Sequence, residues 1–163
     1  MASIFKLSEA VSIGLHAMLL LAGQPDRSLD NRRMAGFLGV SAAHLAKVLQ
    51  RLQHAGLLVS TRGPGGGFHL ARSAAEISLL EIYETLEGPL ETRRCLLNAP
   101  KCSAGGCFFG NLFTDIGEKV RDFLATTKLA ETRERGLRMS TSRKKQKPAA
   151  GQRVADKPCI KQT

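Results

Sequence analysis

Apolar residues first recur at Leu7, Val11, Leu15, Met18, Leu19 and Ala22, a spacing that keeps one helical face apolar and predicts an amphipathic helix over 10–22. Gly23, Gln24, Pro25 and Asp26 follow as a turn. Asp30 stands where a cap would accept from the free N–H groups of a short helix over 31–38, and Gly39 ends that helix. Ser41 caps the next one, over 42–55, whose apolar face is Leu45, Val48, Leu49 and Leu52 and which Gly56 closes. Two short helices joined by a tight, Gly-containing turn read as a helix-turn-helix.

Two strand-like runs, 57–62 and 68–72, flank a Gly/Pro turn at 63–67. They predict a β-hairpin, and a hairpin directly behind a helix-turn-helix is a wing. Ser78 and Glu81 form a capping box that opens another helix, to about Leu86. Residues 88–107 read as an irregular loop. From Phe108 to about Leu129, Leu112, Phe113, Ile116, Val120, Phe123 and Leu124 lie on one helical stripe. So long a helix has little left in its own chain to pack against, which points to a dimer. The expected fold is mainly α: a winged helix-turn-helix with a small β-hairpin wing and a long C-terminal dimerisation helix. The expected units are a DNA-binding domain at 1–87, a cysteine loop at 88–107, a dimerisation helix at 108–137 and a disordered tail at 138–163.

A length of 163 residues is that of about one domain, which argues against a large multi-domain enzyme. The formal charge of +10 points to a polyanion. Its distribution says more than its size. Residues 138–163 hold eight basic residues against Asp156 alone. Residues 27–72, the helix-turn-helix and wing, hold seven against Asp30 alone, whereas 76–91 hold five acids and no base. The apolar run at 10–22 is thirteen residues long, short of the roughly 20 a membrane helix needs. Lys6, Glu9 and His16 also break the pattern of a signal peptide. The expectation is a cytoplasmic protein without a membrane partner.

Two groups of residues carry candidate chemistry. A recognition helix enters the major groove by its N-terminal part, which here offers Ser41, Ala42, Ala43, His44, Lys47 and Arg51. Lys47 and Arg51 lie one turn apart, within reach of phosphates or base edges. Arg62 stands at the wing tip near Gly65 and Gly66, which permit close backbone approach, and its guanidinium suits a narrow minor groove. Singly these are ordinary surface charges; together, on this motif, they predict binding to a double-stranded DNA operator.

The second group is Cys95, Cys102 and Cys107, in a stretch with Asn98, Pro100, Gly105 and Gly106. Thiolates ligate soft metals and iron–sulfur clusters, and a flexible loop lets three sulfurs converge. Arg93, Arg94 and Lys101 favour thiolate over thiol. The spacing does not match the tight pairs of zinc ribbons. On spacing alone, the triad suits a metal or cluster and a thiol redox switch alike. Cys159, isolated in the basic tail, reads as an unligated thiol, and His16, His54 and His69 as surface or structural residues. No paired carboxylates, Ser/His/Asp set or phosphate loop is present, and 63–67 lack the Lys-Ser/Thr of a P-loop, so the chain is not read as an enzyme.

Taken together, Leu7–Ala10, the run from Ala35 to Ser41 with Leu45, Ala55-Gly-Leu-Leu58, the wing sequence Arg62–Arg72, Leu86-Glu-Gly-Pro89 and the cysteine triad resemble the winged-helix regulators of the IscR/NsrR/CymR type, the Rrf2 family. The resemblance covers residues 3 to about 132. It implies a homodimeric bacterial transcription factor, most often a repressor, with the long C-terminal helix as dimer interface. In the cluster-binding branch it further implies a 2Fe–2S or 4Fe–4S cluster held by Cys95, Cys102 and Cys107, whose state changes operator affinity. IscR-like members add a His three residues after the last Cys, where this chain has Gly110. NsrR-like members use an acid near the N-terminus of the partner subunit, and Glu9 occupies the matching place. CymR-like members bind no cluster and lack the triad.

The expected activity is regulation of transcription through a cluster that senses nitric oxide, redox or iron–sulfur status. Two alternatives stay open: a cluster-free thiol-switch or protein-partnered repressor, and a small iron–sulfur carrier. A carrier would be neutral or acidic over the helix-turn-helix, where this chain is basic.

Overall fold

The computed structural model describes residues 7–63, 65–90, 109 and 111–133. Helix α1 (Glu9–Ala22) is the centre of the fold and touches α2 (Asn31–Leu38), α3 (Ala42–His54), α4 (Leu79–Glu87), α6 (Leu129–Arg133) and strand β2 (Gly67–Leu70). The expected single apolar stripe understates this helix. Val11, Met18 and Ala22 are buried, but so are Ile13, Ala17, Leu20 and Leu21, while Leu15 and Leu19 are half-buried and Leu7 is exposed. A helix covered on several sides loses the simple polar/apolar alternation of a surface helix.

The local signals of the helix-turn-helix act as expected. Asp30 accepts from the Arg33 N–H at 2.9 Å and opens α2, and Gly39, in the left-handed region at φ 69°, ends it. Ser41 caps α3, which buries Leu45, Val48, Leu49 and Leu52. Asn31 locks the two helices together, its side-chain N–H donating to the Ala42 carbonyl at 2.8 Å.

Strand β1 (Leu58–Thr61) pairs antiparallel with β2, in the register Leu58 to Leu70 and Thr61 to Gly67. A further rung comes from before α2. Leu29 and Phe68 exchange two backbone hydrogen bonds of 3.0 and 2.9 Å, which tie the wing to the start of the helix-turn-helix. In α4, Ser78 accepts from the Glu81 N–H and Glu81 accepts from the Ser78 N–H, each at 3.2 Å, so both halves of the capping box are made.

The expected long helix from Phe108 to Leu129 is corrected in one respect. Helix α5 spans Leu112–Thr126 and stops, and the chain turns back into the core. Leu79 donates to the Thr127 carbonyl at 3.1 Å, Leu129 to the Ile77 carbonyl at 2.9 Å, and Ala130 to the Ala74 carbonyl at 3.0 Å. Leu129 is fully buried. Thr126, Thr127 and Lys128 interrupt the apolar stripe, and burying Leu129 requires leaving the helical path. Residue 129 therefore belongs to the core around α1, and residues 134–163, including the tail, lie outside the described set.

Candidate nucleic-acid interface

The first turn of α3 starts at Ser41, whose hydroxyl accepts from the His44 N–H at 3.5 Å. Ser41, Ala43 and Lys47 are exposed, His44 is half-buried, and Ala42 leans on the core. Among the described residues Lys47 makes no ion pair or side-chain hydrogen bond, and the same holds for exposed Arg62 at the wing tip. Arg51 behaves differently. Its Nη2 donates to the carbonyls of Leu86 at 2.7 Å and Thr85 at 3.1 Å, at the end of α4.

The wing tip is shaped by glycine. Gly65 is exposed at φ 86°, and Gly66 donates to the Gly63 carbonyl at 2.9 Å. A Cβ on Gly66 would run into the Thr61 carbonyl oxygen, so the tight tip requires its absence. Thr61 and Ser28 hydroxyls lie 3.2 Å apart, and Gln53 donates to Ser60 at 3.2 Å, joining β1 to the segment before α2 and to α3. Exposed Arg32 and Arg33 open α2. In the sequence they read only as charge on the motif; their place in the first turn after the Asp30 cap is the signal that makes them candidates for the site.

Glu9 lies in the first turn of α1 with its side chain 76% exposed, and its Oε1 is 3.9 Å from His44 Nδ1. The N-terminus of α1 and the start of α3 are thus neighbours. Cys95, Cys102, Cys107 and Cys159 lie outside the described residues, and among the described residues no group of His, Cys, Asp and Glu is placed to hold a metal. His16 is exposed, with Nδ1 2.7 Å from the Ser12 carbonyl; His54 is exposed and His69 half-buried.

Below the wing, Arg72 and Glu81 form an ion pair at 2.6 Å. Burial pushes the Glu81 carboxyl up, but hydrogen bonds from Arg72 and the Ser78 N–H, with the charges of Arg72 and Lys128, outweigh it and hold the group below the usual range. The same pairing raises Arg72.

An apolar groove of about 390 Å³ runs between α1, α4 and α5, with Leu15, Tyr83, Ile116, Val120 and Phe123 in its walls. Leu112 and Phe123 of α5 remain largely exposed, as does Phe109. Among the described residues, no helix is long and apolar enough to cross a membrane.

The sequence profile of the Rrf2 family, described as an iron-dependent transcriptional regulator, matches residues 7–134. The chain is 40% identical over 82 residues to a putative HTH-type transcriptional regulator, BadM, of Rhodopseudomonas palustris, an overlap of 50% of this chain and 53% of that protein. It is 33% identical over 94 residues to the HTH-type transcriptional regulator IscR of Serratia proteamaculans, covering 57% of each. The chain thus spans little more than half the length of these curated relatives. Among solved structures, CymR, the global cysteine regulator of B. subtilis, superposes with a TM-score of 0.68 at 25% identity, over 80% of this chain and 97% of that one.

Proposed function

The chain belongs to the Rrf2 family of transcriptional regulators, a family of DNA-binding proteins rather than enzymes, and from that membership we propose a cytoplasmic, homodimeric repressor whose affinity for its operator is set by the cysteine segment. The observation that carries the DNA-binding part is the pairing of unengaged cations on two adjacent elements. Lys47 on the recognition helix and Arg62 on the wing are exposed and unpaired among the described residues, with Arg32 and Arg33 on the helix before. Ser41, Ala43 and His44 line the helix start, where base edges would be met, and Gly65 and Gly66 let the wing backbone approach a groove.

Residues 1–87 bind DNA in this proposal, 88–107 sense, α5 at Leu112–Thr126 within the 108–137 unit joins two copies, and 138–163 add nonspecific attraction. The groove beside α5 and the exposed Leu112 and Phe123 support a second copy as its occupant. The return of residues 127–133 to the core links that interface to the DNA-binding unit.

For the sensor, Cys95, Cys102 and Cys107 with Glu9 of the partner subunit are a donor set that fits iron: three soft thiolates and one exchangeable carboxylate. Glu9 is exposed and faces away from the core, as an inter-subunit ligand must. A bound iron–sulfur cluster supplies a group reactive toward nitric oxide, oxidants and iron loss. The chain's own part is to hold that group through the cysteines and, by Glu9, to connect it with the start of α1 beside His44. A second reading has the same cysteines act without a cluster as a thiol switch, on a fold shared with the cysteine regulator CymR. The absorption spectrum of anaerobically purified protein tests the choice: visible bands that vanish in Cys95→Ala, Cys102→Ala and Cys107→Ala support the cluster, and their absence from the native protein supports the thiol switch.

A further inference from the structure

The carbonyls of a helix's last turn have no intrahelical donors. In α4 two of them, on Thr85 and Leu86, are taken by Arg51 from the last turn of α3. The bonds are charge-assisted and sit at the negative end of the α4 dipole, the position where a cation is most favourable. Beside them Leu86 is buried, and Gly14 of α1 leaves room for its Cδ1, so α1, α3 and α4 meet at one point. Downstream, Gly88 donates to the Glu84 carbonyl at 2.9 Å. Leu90 is buried; its N–H donates to Glu84 Oε1 at 3.2 Å and its carbonyl accepts from Arg121 of α5 at 3.0 Å. Cys95 follows five residues later. Two arginines from different helices therefore hold the root of the cysteine segment, and one of them is part of the recognition helix.

We propose that Arg51 is a positioning residue: a strut through which the root of the cysteine segment, residues 85–90, sets the orientation of the recognition helix, and not a contact to DNA. This rests on the DNA-binding reading above. A shift of the α4 end moves the two carbonyls that Arg51 grips, and Lys47 lies one turn before it on the same helix. A planar guanidinium serves both acceptors from a fixed fork, whereas a lysine ammonium is a point charge on a flexible stem.

The test uses the full chain and a duplex that the native protein selects from a random-sequence library. Amide hydrogen exchange in peptides covering 84–90 is measured with and without the duplex, alongside the salt dependence of affinity. In the native chain, binding slows exchange at 84–90 by about threefold or more, because coupling between two sites is reciprocal. Arg51→Met removes that slowing and leaves the salt slope unchanged. Arg51→Lys keeps the charge yet loses most of the slowing, and it carries the comparison if circular dichroism shows Arg51→Met to be unfolded. A salt slope lowered by about one in Arg51→Met would make Arg51 a phosphate contact and overturn the strut. Retention of the slowing in both variants overturns it as well. A native chain that selects no duplex counts against DNA binding itself and takes the strut with it, an outcome distinguishable because it appears before any substitution.

Discussion

Gly67 of the wing lies flat against Leu29: a Cβ at Gly67 would stand 2.5 Å from the Leu29 carbonyl oxygen. That contact is with backbone, which cannot rotate away as a side chain can. Gly67→Ala is therefore expected to push the Leu29 rung off β2 and to lower stability by about 1–3 kcal/mol, the usual cost of overpacking. Urea unfolding measures the loss. Weaker DNA binding should accompany it, since the rung holds the wing to the start of α2.

Lys47 and Arg62 are expected to contribute separately to DNA affinity. Each, changed to Ala, should weaken binding by about 1–3 kcal/mol if it reads a base or groove, or reduce the salt slope by about one if it meets a phosphate. Fluorescence anisotropy over a salt series separates the two roles. Unchanged affinity and slope for Arg62→Ala would remove the wing tip from the interface.

Glu81 links stability to pH. Its carboxyl is held below the ordinary range in the folded chain, so its ionised form stabilises the fold above the unfolded value of about 4.3. That contribution is lost as pH falls through the lowered folded value. Glu81→Gln keeps a capping-box side chain but discards the charge paired with Arg72. Native protein should melt at a higher temperature than Glu81→Gln at pH 7, and the gap should close in acid. A gap that widens in acid would contradict the assignment.

How far the sequence reached is clearest where one residue acts on its near neighbours. Asp30, Gly39, Ser41 and the Ser78–Glu81 box work within three or four positions of themselves, and each acts as its residue type requires. Leu29 left no such trace, because a single bridging residue has no periodicity; its isolation among turn residues just before the Asp30 cap was the only hint. Arg51 reads in the sequence as a second groove contact beside Lys47; its hydrogen bonds to the end of α4 are not written in local spacing, because that partner lies 35 residues away. The break after Thr126 was visible as two threonines and a lysine, but what pulls the chain inward is the burial of Leu129 against elements formed much earlier. Leu129→Ala should therefore cost about 2–5 kcal/mol, as for other buried leucines, and not the small loss of a frayed helix end. Thermal or urea unfolding decides between them.

The tail at 138–163 contributes charge. Removing it should leave fold and dimer intact while making the salt slope of nonspecific DNA binding shallower, because fewer counterions are released. Sedimentation and anisotropy on the shortened chain check both statements. Aggregation or dissociation to monomer would show that the tail is structural.

The proposed control of DNA affinity by the cysteine segment is open to direct measurement. Its most direct test is the affinity of the anaerobically prepared full chain for its selected duplex, measured before and after iron is removed by a chelator at one fixed salt concentration. A coupling between sites of typical size predicts a change of about tenfold, absent from Cys102→Ala protein treated in the same way. Equal affinities before and after removal, in a protein whose visible absorption the chelator has abolished, would contradict control through a cluster.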